Sequence, residues 1–179
     1  MGQGGIRGEL MQAPRYQAEQ RPTGVVLAST GAEHTEPAGS VYGVERAFTE
    51  NGAGTYTGSV NVPAGATILD IIVNGVALWD AATSATLKVG DAADDDGYYT
   101  GVNLKATDLL AGESLSFALA GGKAGAYIAN SQVSPRYSAT ARVVSGIVTS
   151  VGAGTAGRTR MTVVYHLPVS GDIESATQV

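Results

Sequence analysis

At 179 residues the chain is sized for one domain, and a β-sandwich of ~100 to 150 residues would leave some chain over for arms and tails. A net charge of −5, with 11 basic residues scattered along the chain, gives no support for binding to nucleic-acid phosphates, which takes clustered Lys and Arg. The absence of cysteine excludes a disulfide framework and any cysteine-based zinc site.

Residues 1–23 (MGQGGIRGELMQAPRYQAEQRPT) hold few apolar side chains and no sustained period of 2 or 3.6, so they should not fold alone. Arg7, Arg15 and Arg21 against Glu9 and Glu19 leave this arm at +1 and the remainder at −6. Extended at ~3.3 Å per residue, it could reach on the order of 75 Å. Arg7, Arg15, Tyr16 and Arg21 are of the types enriched at protein interfaces, and they are the expected partner-binding residues.

From Val25 the texture changes to short β-rich runs between turn residues, with 25 glycines that would each weaken a helix interior by ~1 kcal/mol. Strands are expected over 25–29, 41–49, 55–62, 67–73, 85–89, 113–119, 137–148 and 160–167. Residues 55–62 and 160–165 alternate apolar and polar, as one-sided burial requires. Residues 68–73 are more uniformly apolar, which suits burial on both faces or contact with another subunit. Asn74-Gly75 between two apolar runs predicts a tight type I′ hairpin. Residues 91–100 are polar, and 105–112 could hold one short helical turn capped near Thr107. Residues 168–179 read as a polar tail, and no internal repeat is present. The expected organisation is an arm over 1–23, a sandwich over 24–167 and a tail over 168–179. The fold class is all-β: a single antiparallel β-sandwich or jelly-roll-like barrel with an extended N-terminal arm.

Candidate chemistry is sparse. Gly152-Ala153-Gly154-Thr155-Ala156-Gly157 matches the spacing G-x-G-x-x-G, but a strand pattern follows where a dinucleotide site needs a helix, so a glycine-rich hairpin loop is the favoured reading. Asp91-Ala92-Ala93-Asp94-Asp95-Asp96-Gly97 offers hard oxygen ligands. With Gly97 at the sixth EF-hand position, however, Ala92 and Asn103 fall where the first and twelfth ligands belong. A solvated acidic turn is favoured over a loose Ca²⁺ site, and no metal or cofactor is assigned. His34 and His166 stand apart from any second ligand, and no G-x-S-x-G elbow occurs, so no catalytic residue is assigned and no enzymatic activity is expected. Tyr98 and Tyr99, with Trp79-Asp80 nearby, could form a flat sugar-binding platform; the plainer reading makes Trp79 a plug at one end of the sandwich and the tyrosines edge covers. Arg15-Tyr16 and Pro135-Arg136-Tyr137 each pair a guanidinium with an aromatic ring.

The stretch Val60-Asn61-Val62-Pro63-Ala64-Gly65-Ala66-Thr67, then Leu87-Lys88-Val89-Gly90-Asp91 and Asp96-Gly97-Tyr98-Tyr99, resembles small structural proteins of tailed bacteriophages. The resemblance covers roughly residues 55–130. It implies a virion component such as a capsid decoration (cement) protein and carries over no catalytic residue. The expected partners are the major capsid protein or other virion proteins, with self-association as a homo-oligomer, a trimer where capsid subunits meet. Neither nucleic acid nor membrane is expected as a partner, since no apolar run reaches ~18 residues. A tail or head-to-tail connector component is the alternative within virions, and a carbohydrate-binding sandwich using Trp79, Tyr98 and Tyr99 the alternative of another class. The chain lacks the basic-then-apolar order of a secretion signal, so it should be made in the host cytoplasm and reside in the virion.

Overall fold

Where β-branched residues alternate with small polar ones, the chain forms strands that bury every second side chain. The structure, a computed structural model, describes residues 26–28, 40–105, 107–129 and 134–168. Nine strands are described: β1 (Val26–Ala28), β2 (Ser40–Thr49), β3 (Gly54–Val62), β4 (Thr67–Ala77), β5 (Ser84–Gly90), β6 (Tyr99–Asn103), β7 (Ser114–Leu115), β8 (Arg142–Val151) and β9 (Arg158–Leu167). One sheet has the order β1-β2-β9-β4-β7 and the other β3-β8-β5-β6. Every ladder is antiparallel except β1 on β2.

From β2 onward the chain changes sheet at each step save one, the β5–β6 connection through the acidic loop. Each sheet is therefore assembled from strands far apart in sequence, and the two four-stranded orders β2-β9-β4-β7 and β3-β8-β5-β6 are those of a jelly-roll-like sandwich. The core lies between the sheets. Val60, Ile71, Leu87, Val148 and Val163 have no exposed surface. Each contributes about 1.5–3 kcal/mol by leaving water.

Aromatic rings close the ends and one side. Trp79 is 2% exposed, stands edge-on to Tyr56 at 5.4 Å between centroids, and donates its Nε1–H to Thr159 Oγ1 at 2.9 Å. At the far end of β9, Tyr165 meets Tyr42 at 5.5 Å. Along one side, Phe117 stacks on Tyr98 at 5.9 Å and Tyr127 meets Tyr98 edge-on at 5.1 Å. Phe117 and Tyr127 come from short helical turns, Phe117–Leu119 and α1 (Ala126–Ala129), that follow β7.

Several expectations are corrected. Asn74-Gly75 is not a hairpin: β4 runs through it, with Asn74 opposite Arg160 and Gly75 opposite Thr159. The main chain of Gly75 is used on the other side as well, by Glu113 O at 3.0 Å and Gly112 N at 2.7 Å. Of the two readings of the apolar run 68–73, burial on both faces is overturned, because a register shift between Ile68 and Asp70 lets Leu69 out and keeps Ile68 and Ile71 both inward. The run 113–119 yields only β7, since Asp70 Oδ1 accepts the Phe117 N–H at 2.8 Å and turns the chain. Strand β8 starts at Arg142, after a 3-10 turn at Ser134–Arg136 whose carbonyls at Pro135 and Arg136 are bound by the Arg142 guanidinium. No helix occupies the described part of 105–112, and β6 was not expected. The arm over 1–23 and the tail beyond Pro168 lie outside the described residues.

Candidate functional site

The β8–β9 connection, residues 152–157, joins strands of opposite sheets, so it is an arch between sheets and not the expected hairpin loop. Two carboxylates hold it from below. Glu50, 2% exposed at the end of β2, accepts the N–H groups of Asp80 at 3.0 Å and Gly157 at 2.9 Å and the Ser150 hydroxyl at 3.3 Å. Asp80 Oδ1 accepts the N–H groups of Thr155 at 2.8 Å and Ala156 at 3.1 Å. These bonds, from Ala156 first and Thr155 next, hold the Asp80 carboxyl below its ordinary range. The glycines of the motif are explained by space. A Cβ on Gly157 would collide with the Trp79 ring, and one on Gly154 with Glu50 Oε1. The main-chain N–H groups a phosphate would need, at Thr155, Ala156 and Gly157, are spent on the protein's own carboxylates.

The acidic loop is also largely self-satisfied. Asp91 Oδ1 accepts the N–H groups of Ala93 at 2.9 Å and Asp94 at 3.2 Å, and the Tyr127 hydroxyl at 3.0 Å. Burial first, then the bond to Asp91, pushes the Tyr127 phenol up to about 12. Lys88 pairs with Asp95. Carboxylate oxygens of Asp94, Asp95 and Asp96 lie within 4.8 Å of one another, and Asp96 is held above its usual range, first by a hydrogen bond with the Asp94 carboxyl. Behind the loop, Arg142 Nη1 stands 3.8 Å from Asp91 Oδ2.

Tyr98 and Tyr99 have no exposed surface, and the Tyr99 hydroxyl donates to Ile71 O at 2.5 Å. Burial raises both phenols well above their ordinary range. With Trp79 also buried, these three rings cannot offer the sugar-stacking platform considered from the sequence. Trp79 plugs one end as expected, whereas Tyr98 and Tyr99 are core residues and not edge covers. His166 lies on β9 between Val41 and Thr67, half-buried. Arg136 lies over the Phe117 ring at 5.7 Å. Arg7, Arg15, Tyr16, Arg21 and His34 lie outside the described residues.

The remaining candidates are surfaces. On the outer face of the β3-β8-β5-β6 sheet the cross-strand rows read Thr55–Thr149–Thr86, Thr57–Ile147–Lys88 and Ser59–Ser145–Gly90, with Asn61 beside Val143. Lys88, tied to Asp95, is the one charge in those rows. At the side of the sandwich Arg46, from β2, reaches across to β3 and donates Nε–H to Ser59 O at 2.7 Å. Sequence reasoning missed Arg46, Glu50 and Arg142 and placed Asp80 only beside Trp79, because a charged residue in a strand or turn carries no local mark of the distant main-chain group it will meet. Among the described residues, no helix is long and apolar enough to cross a membrane.

No family model matches the chain, and no curated protein matches it significantly. Among solved structures it is similar to a chain in the acidic stable capsid structure of Helicobacter pylori bacteriophage KHP30, with a TM-score of 0.51 and 18% identity over 72% of this chain and 89% of that one. It is also similar to a chain of the cyanophage Pam1 capsid asymmetric unit, with a TM-score of 0.46 and 23% identity over 79% of this chain and 94% of that one. At such identity the KHP30 likeness is one of fold. The class defined is an antiparallel β-sandwich of jelly-roll-like connectivity, of a kind found in a phage capsid.

Proposed function

We propose that this protein is a non-enzymatic structural component of a phage particle, a decoration protein that binds the assembled capsid shell and stabilises it. The observation that carries the reading is the fold likeness to a chain of the KHP30 capsid structure, which spans 89% of that chain. The chemistry of the described residues supports it. The buried Glu50 carboxylate and Tyr99 phenol bind the protein's own main chain, and the outer face of the β3-β8-β5-β6 sheet is nearly uncharged and rich in Ser and Thr. Such a face suits contact with another protein surface, where charged residues are depleted at the centre. Quantitative mass spectrometry of purified particles tests the reading: copies comparable in number with the shell protein are expected. A few copies per particle would assign it instead to a tail or head-to-tail connector, and absence from particles would overturn the proposal.

A further inference from the structure

The edges of the two sheets are protected unequally. Strand β7 is a two-residue cover, and β4 beside it is broken by register shifts at Leu69 and Val76. β6 is five residues long, with a register shift in its ladder to β5 and a left-handed Gly101 at φ 55°. β2 is overlaid in part by β1. β3 differs: its ladder to β8 is unbroken from Gly54 opposite Ser150 to Val62 opposite Arg142, and among the described residues no strand pairs with its other side. It contains no charged residue, no proline and no bulge, the usual devices that keep an edge from pairing.

The side-chain contacts fix which main-chain groups face outward. Ser59 and Ser145 are directly opposite with their hydroxyls 2.9 Å apart, as in a non-hydrogen-bonded pair, and Ser59 O is bound by Arg46. By alternation, the N–H and C=O groups of Thr55, Thr57, Ser59 and Asn61 point away from β8. Thr55, Thr57 and Asn61 are exposed.

We infer that the β3 edge pairs with the β3 edge of a second copy of this chain, antiparallel about a two-fold axis at Gly58, and that Arg46 gates the pairing. In that register Thr55 faces Asn61 and Thr57 faces Ser59, so every outward main-chain group of one copy meets its complement on the other. No like charges are brought together in the strand, although the chain as a whole carries −5. A second copy is the occupant because it brings an edge of equal length that is likewise unbroken and uncharged, and the two β3-β8-β5-β6 sheets become one continuous sheet. The guard is Arg46, whose Nε–H occupies Ser59 O while Nη1–H donates to Glu45 O at 2.8 Å. It must swing away for the edges to meet. Isologous pairing closes as a dimer, in place of the trimer expected from the sequence, and does not depend on a role in the virion.

The test is sedimentation equilibrium of the full chain over a concentration series. Arg46→Ala should dimerise at about a hundredfold lower concentration than the wild type, since each dimer releases one charged hydrogen bond per copy, each worth about tenfold. Thr57→Pro removes only an outward N–H and should stay monomeric while keeping β-type circular dichroism. Should Thr57→Pro fail to fold, Thr57→Lys serves, since its side chain leaves the β8 ladder intact. Because the chain lacks cysteine, mixing Thr57→Cys with Ser59→Cys in the Arg46→Ala background should give a disulfide-linked dimer that neither gives alone. Monomeric Arg46→Ala, wild-type association of the folded Thr57 variants, or a cross-link as strong in one variant alone as in the mixture overturns the inference. The last result would point to a different register or a different edge.

Discussion

Gly75 shows how one residue type can carry two different physical meanings. Asn-Gly between apolar runs is a strong hairpin signal because it supplies positive φ cheaply. In this chain the glycine answers a different need, since a Cβ there would press on the Leu110 carbonyl and the Leu109 side chain, where the 110–113 loop comes against β4. The Asn74 side chain donates to Ser114 Oγ at 2.5 Å and helps hold that loop in place. The residue pair was legible as special, but its reason was not, because the loop that demands the glycine lies some distance further along the chain. Gly75→Ala should therefore lower stability by about 1–3 kcal/mol, the usual cost of overpacking. Gly122→Ala, where nothing lies within 4 Å, should stay within about 0.5 kcal/mol of wild type. Urea midpoints of the two variants check this; equal midpoints would mean that the 110–113 loop yields freely.

At the scale of elements, β1, β2, β3, β5 and β9 appear within two residues of their expected bounds, whereas β8, which alternates as cleanly, starts at Arg142 and not at 137 because the turn at Ser134–Arg136 precedes it. β6 and the helical turns escaped because Tyr98, Tyr99 and Phe117 are placed by one another across elements, not by a local period. The arch over 152–157 is similar, its glycines visible and its anchors Glu50 and Asp80 not. Its acid sensitivity follows from those anchors. A carboxyl whose folded pKa is depressed contributes stability above its unfolded pKa of about 3.9 and loses that contribution as pH falls through the folded value. The Asp80 carboxyl is such a group, held down by the N–H groups of Ala156 and Thr155. Asp80→Ala should therefore speed hydrogen exchange at Thr155 and Ala156 near neutral pH. Relative to wild type, the difference should persist through the ordinary carboxylate range and fade only as the pH falls through the depressed folded value, where the wild-type carboxyl is protonated. An unchanged ratio across that range would show that the arch is held by Glu50 alone.

For the whole molecule, the all-β class was readable from alternation and glycine-rich turns, whereas the order β2-β9-β4-β7 over β3-β8-β5-β6 was not, because each pairing joins segments far apart in sequence. The same topology allows the arm's expected part in docking to be tested apart from folding. The core runs from Tyr42 to Tyr165, and the first described strand begins at Val26, so deleting residues 1–23 removes none of the described burial. The truncated chain should keep β-type circular dichroism and a melting temperature within a few degrees of full length, since ~1 kcal/mol shifts a domain of this size by only ~2–8 °C. If Arg7, Arg15, Tyr16 and Arg21 are the partner-binding residues expected from the sequence, binding to particles should be lost with them. Cosedimentation of each form with particles lacking the protein measures this directly. If the truncated form binds as tightly as the full chain, the anchor is on the sandwich, and its nearly uncharged β3-β8-β5-β6 face becomes the surface to mutate. If it unfolds, the arm contributes to the core.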